Sequence, residues 1–311
     1  DWVTEEQLGR LLNDGGFRHL GVERIHIEVP SLRYFPAAAP ADLRTLNLLP
    51  IYQVWACRRA TASAAQSTAV AWKPMVSVIV PTHNRPERLQ VALRSLARQE
   101  YQDFEVIVVN DGMTPVEAIV AEANLAGRIT LVNHDRNRGL AASRNTALRL
   151  ARGTYIAYLD DDDRFLPDHL ATLVTFLEGG THQVAYTDAW RIAEREVAGV
   201  MTEVGRDQPY HFDASRLLIS NYIPVLCLMH RKSCLDEAGR FDESLFVHED
   251  WDLWIRLAIR YPFAHLARTT AEFTWRIDGS SMTSCDQDAF HRTADIIYRK
   301  YFSYAAAHPN I

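Results

Sequence analysis

The 311-residue chain lacks several features that would each point to a class of function. Its four cysteines, Cys57, Cys227, Cys234 and Cys285, form no CxxC pair and no even spacing. That excludes a disulfide framework or a zinc ribbon and suits thiols in a reducing compartment. No apolar run reaches about 18 residues, the length a membrane-crossing helix needs, and no secretory signal opens the chain. The nearest run, residues 217–229, is interrupted by Ser220, Asn221 and Pro224. The formal charge of -6 leaves no basic stripe of the kind a nucleic-acid surface needs. There are no internal repeats. What is present is 48% hydrophobic and 23% charged residues, the proportions of an ordinary globular protein, in a length that allows about two domains. The first residue is Asp1 rather than Met, so the chain reads as a piece of something longer.

Composition shifts at residues 61–73, TASAAQSTAVAWK, an Ala/Ser/Thr-rich stretch without apolar periodicity that reads as a linker. It divides residues 1–60 from residues 74–311. Before it, Thr4 and Gln7 have the spacing of a capping box for a short helix, which Gly15, Gly16 and Phe17 stop. Ile51 to Cys57 follows as a strand. This order of helix, Gly-Gly-Phe turn, strand, Pro-rich loop and final strand resembles the C-terminal end of a class I S-adenosylmethionine methyltransferase. The resemblance implies that the cofactor-binding half of such a domain lies upstream. The same residues can be read instead as an N-terminal extension packed on the main domain.

After residue 73 the pattern becomes alternating strands and helices, as in a parallel sheet with crossover helices. Val76 to Val80 is apolar without alternation, which suits a strand buried on both faces. Pro86 stands at the tolerated first position of a helix running to Arg98. Strands at 105–109, 129–132 and 155–159 alternate with helices at 115–125 and 140–151. The fourth strand ends in Asp160, Asp161, Asp162 and Asp163, and open α/β sheets place ligands at the carboxyl ends of their strands. Four adjacent aspartates repel one another, so a folded chain keeps them only if they are neutralised or solvated. Hard oxygen donors suit Mg²⁺ or Mn²⁺. A solvated loop tip capping the helix after Pro167 is the other reading.

These residues, with four further motifs, resemble a family 2 glycosyltransferase of the GT-A fold. The carrying segments are Val78 to Arg85, Val108 to Gly112, Asn137 to Asn145, the acidic run, and His248 to Trp254, in the family's order over about 200 residues. The resemblance implies an α/β fold with a mostly parallel central sheet and helices on both faces, beside a small N-terminal α+β remnant. It implies a nucleotide-sugar donor met by Pro81, Thr82, Asn84, Arg85, Asp111, Gly139, Arg144, Asp160 and Asp161. Asp111 would accept a hydrogen bond from the base edge, typically that of uracil. Arg144 would offer its fork to ribose or phosphate oxygens, and Asn145 would hold the Asp111 loop. Asp162, with Asp160, would carry the metal. Asp250 would be the general base, with Glu249 beside it, on a helix over 251–260; Trp251 and Trp254 could form a sugar-stacking platform.

One departure concerns the late Arg-x-His segment, where Asp278 stands in place of the histidine that often completes the metal site. The remaining histidines, such as His83, His134, His169 and His230, lack metal-ligand spacing. Residues 298–304 read as a terminal helix. The expected reaction is a single inverting transfer to a hydroxyl of a glycan or lipid-linked glycan, in surface polysaccharide synthesis, in the cytoplasm where nucleotide-sugars are made. A nucleotidyltransferase, or an inactive glycan-binding scaffold, remains as an alternative.

Overall fold

The computed structural model describes residues 72–125, 127–197, 200–208, 216–277 and 287–308. The chain divides between Ala71 and Trp72, and everything below belongs to the second unit. The expectations for residues 1–60, and for most of the linker, lie outside the described residues, as does Asp278.

Strands and helices alternate first as β1 (Val76–Thr82), α1 (Pro86–Ala97), β2 (Phe104–Asn110), α2 (Glu117–Glu122), β3 (Ile129–Asn133), α3 (Leu140–Leu150) and β4 (Tyr155–Tyr158). Then come β5 (Arg164–Phe165), α4 (His169–Gly179), β6 (Val184–Val197), β7 (Val200–Asp207), β8 (Leu228–Arg231), α5 (Cys234–Ala238), α6 (Glu249–Ala258), β9 (Phe263–Arg276) and α7 (Gln287–Ala307). Every residue of β1 and β2 is buried, as continuous apolar runs require when both faces of a sheet are covered. Pro86 opens α1, where its missing N–H costs nothing. Helix α2 is shorter than the expected 115–125, because Asn124 takes a left-handed conformation with φ 54° and ends it.

Among the described residues the sheet has nine strands, in the order β3-β2-β1-β4-β8-β6-β9-β5, with β7 on β6. The first four run parallel, as expected. Beyond β4 the sheet becomes mixed. β8 is antiparallel to both β4 and β6, whereas β6 and β9 are long parallel partners from Val184 to Glu194 and Phe263 to Arg276. The result is an α/β fold whose parallel half ends its strands beside one another. Thr82 pairs with Asn110, and Ile79 with Tyr158, so the loops that leave β1, β2 and β4 meet.

Candidate active site

Those three loops are tied together by side chains from the expected motifs. Asn84, itself left-handed at φ 54°, accepts from Met113 N at 2.9 Å, Thr114 N at 3.1 Å and Thr114 Oγ1 at 3.1 Å. Gly112 packs directly beneath it. A Cβ there would stand 2.4 Å from Asn84 Oδ1 and 2.6 Å from its backbone nitrogen, so only glycine fits. His83 donates through Nδ1 to the Asp111 carbonyl at 2.9 Å.

Asp111 is buried and held ready. Its Oδ1 accepts from His134 Nδ1 at 2.6 Å and Arg138 N at 2.8 Å, and its Oδ2 from Gly139 N at 2.8 Å. Each carboxylate oxygen has room for about two donors, so Oδ2 keeps capacity for one more. Gly139 sits at φ 90° with open space beside it, which leaves α3's first turn accessible.

The acidic run alternates in exposure. Asp160 and Asp162 keep 25% and 19% of their side-chain surface open, against 1% for Asp161. Asp163 is buried as well. Arginines neutralise the cluster: Arg85 reaches Asp161 and Asp162 at 2.7 Å each, and Arg276 reaches Asp162 at 2.6 Å. Thr82 Oγ1 donates to Asp161 at 2.8 Å and Thr274 N to Asp163 at 2.9 Å. Burial, against the pull of Arg85, pushes the Asp161 carboxyl up to about 7. Burial and the neighbouring aspartates push Asp163 up well above the usual range. Asp161, expected at the donor, is thus turned inward onto Thr82 and Arg85.

The second acidic group opens α6. Asp250 Oδ1 accepts from Trp251 N at 2.7 Å and from Asn221 Nδ2 at 3.1 Å, while the residue stays partly exposed. Glu249 is buried and accepts from Arg144 Nη1. Burial outweighs that pull and raises its carboxyl from 4.5 to about 7. A raised carboxyl favours the fold at low pH and loses that contribution as pH rises through it. Wild type should therefore lose stability relative to a Glu249→Gln variant between about pH 5 and about pH 8. Thermal melts at the two pH values check this, and a constant gap would contradict it.

Arg144, expected at ribose or phosphate, is enclosed. Its Nη2 donates instead to Asp160 Oδ1 at 2.7 Å, its Nη1 to Glu249, and its guanidinium lies 5.4 Å from the Phe241 ring. Asn145 holds Phe241 and Glu243 rather than the Asp111 loop, with contacts of 2.8–3.1 Å. The Asp111 loop is held by His134 and by the backbone of Arg138 and Gly139. Trp251 and Trp254 form no stacking platform. They are 2% and 0% exposed, and their indoles donate to Leu217 and Ile223 carbonyls in the core. Sequence reasoning gave no role to Arg276 or Thr274, and placed Asn221 only as the start of a block, Asn221 to Cys234, on the variable acceptor side. Arg276 stands two residues before Asp278, and nothing in its spacing marks it as the partner of Asp162.

Among the described residues, no three His, Cys, Asp or Glu side chains converge as a ready cation cage. The half-open pair Asp160 and Asp162 nevertheless offers hard oxygens to Mg²⁺ or Mn²⁺, ions that take much of their coordination from water and substrate phosphates.

The profile of glycosyl transferase family 2 matches residues 77–236, just over half of the chain. The chain belongs to glycosyltransferase family 2. Two relatives agree. The uncharacterized glycosyltransferase YwdF of Bacillus subtilis (strain 168) is 32% identical over 191 residues, covering 60% of this chain and 69% of YwdF. WcaA of Escherichia coli (strain K12), provisionally named for colanic acid biosynthesis, is 30% identical over 195 residues, covering 60% of this chain and 67% of WcaA. Among solved structures, Staphylococcus aureus TarS 1–349 in complex with UDP-GlcNAc superposes with a TM-score of 0.58 at 22% identity, over 71% of this chain and 65% of that one. That likeness establishes the GT-A fold. Glu249, Asp250, Thr274 and Arg276 all lie beyond the segment that matches the family 2 profile. No helix among the described residues of this glycosyltransferase is long and apolar enough to cross a membrane.

Proposed function

We propose that this glycosyltransferase moves a sugar, with inversion, from a nucleotide-sugar to a hydroxyl of a carbohydrate acceptor. The observation that carries the reading is the joining of two acidic groups by Arg144, which donates to Asp160 after β4 and to Glu249 at the start of α6, next to the partly exposed Asp250. Asp162 and Asp160, with Asp278 as a third candidate ligand, are the residues that would hold Mn²⁺ or Mg²⁺. A divalent cation bound there would neutralise the departing nucleoside diphosphate. The chain's own groups do the rest. Asp111 Oδ2 accepts from a base that presents a ring N–H, as uracil, thymine and guanine do and cytosine and adenine do not, which suits a UDP-sugar. Pro81, Thr82, Asn84, Arg85 and Gly139 shape the nucleotide side. Asp250 takes the acceptor proton, and attack by that hydroxyl from the opposite face inverts the anomeric centre.

The names of WcaA and TarS's ligand support a glycan setting and a UDP-linked donor, and surface polysaccharide synthesis at the cytoplasmic side fits both. The test is incubation with Mn²⁺ and a panel of UDP-, GDP- and dTDP-sugars, reading nucleoside diphosphate release. Asp162→Asn should lower release on the order of 100-fold, the usual cost of losing one charge-stabilising group. Pyrophosphate instead of nucleoside diphosphate would overturn the reaction class.

A further inference from the structure

Arg144 lies 2% exposed between the two acidic groups of the site. Its Nη2 serves Asp160 and its Nη1 serves Glu249, while its Nε is enclosed without a hydrogen-bond partner among the described residues. One buried positive charge is therefore divided between two carboxylates, and water does little to screen the division. A guanidinium can do this because its two Nη groups diverge from one rigid plane; an ammonium is a single point charge on a flexible stem.

We propose that Arg144 is a positioning residue that couples occupation of the donor side at Asp160 to the setting of Glu249 at the start of the base helix. The inference rests on the reading of Asp160 and Asp162 as the cation-facing pair. When a cation takes over the neutralisation of Asp160, the hold of Arg144 on Glu249 strengthens. Asp250 is the next residue along α6, so the base is set by the same contact. Linkage requires the converse: removing the charge of Glu249 turns all of Arg144 onto Asp160 and makes that carboxylate a poorer cation ligand.

The measurement is Mn²⁺ affinity in the presence of saturating UDP, at about pH 8 so that Glu249 is ionised in wild type. Glu249→Gln keeps the shape of the side chain and should weaken Mn²⁺ binding roughly fivefold, the low end of coupling between sites. In an Arg144→Lys background the same Glu249→Gln change should cost less than about twofold, because a lysine cannot span both carboxylates. Thermal melts confirm that each variant is folded. Equal losses in both backgrounds would mean that Glu249 acts on the cation directly through space, and no loss in the wild-type background would mean that the sides are independent. Either result overturns the coupling. Asp162→Asn, measured in parallel, reports on the underlying reading: unchanged Mn²⁺ binding there removes the cation from the acidic run, which is a separate failure.

Discussion

Replacing Asp250 with asparagine is expected to leave Mn²⁺ and nucleotide binding intact and to lower transfer about 1000-fold, within the range for losing a general base. The geometry explains why the two effects separate. An asparagine oxygen still accepts from Trp251 N and Asn221 Nδ2, so the start of α6 keeps its shape. What disappears is the second, basic oxygen. Glu249 cannot substitute, because it is buried and committed to Arg144. Steady-state kinetics beside a nucleotide titration separates the two quantities. Normal turnover in the variant would remove Asp250 from the role of base, and a parallel loss of nucleotide affinity would make it a structural cap.

The second large effect is expected at Gly112. An alanine Cβ would meet the backbone nitrogen and side chain of Asn84 at 2.6 and 2.4 Å. Backbone cannot swing aside as the end of a flexible side chain can, so the β1 and β2 loops must part. Overpacking of this kind costs about 1–3 kcal/mol of stability. Function should suffer more, because Asn84's three hydrogen bonds to Met113 and Thr114 hold the loop that follows Asp111. UDP affinity should fall at least about tenfold, which is only about 1.4 kcal/mol. Met113→Ala, at a side chain 80% exposed, is the control and should change neither quantity. Unaltered UDP binding by Gly112→Ala would show that the two loops adjust independently of the nucleotide site.

The parallel half of the fold was legible in the sequence because its strands are short, mostly apolar and separated by helices with recognisable starts. Val76 to Val80 and the run before Asp160 leave little choice of element or position. The mixed half was not legible. β9 runs from Phe263 to Arg276 with His265, Arg268 and Glu272 among its apolar residues, and its long partner β6 lies some 80 positions earlier. No local period reports such a pairing. The acidic run shows the same division. Electrostatics demanded that four aspartates be neutralised, yet the neutralising arginines lie 77 and 114 positions from Asp162. Composition can require a partner without saying where it stands. Arg144 shows the reverse case: its motif was recognised, but its contacts depended on how α6 docks, which no motif records.

The long parallel pairing of β6 with β9 also governs the order in which the protein can be assembled. During synthesis β1 to β4 emerge early and can pair with near neighbours, but β6 must wait for β9 before the side running from Val184 to Glu194 is closed. Until then β6 exposes an open edge, the kind of surface that recruits foreign strands. Thr274 and Arg276 arrive on that same late strand. The acidic run therefore stays without part of its counter-charge until β9 has left the ribosome, and a fragment ending with the profile match at residue 236 would have both an open edge and an acidic loop lacking Thr274 and Arg276.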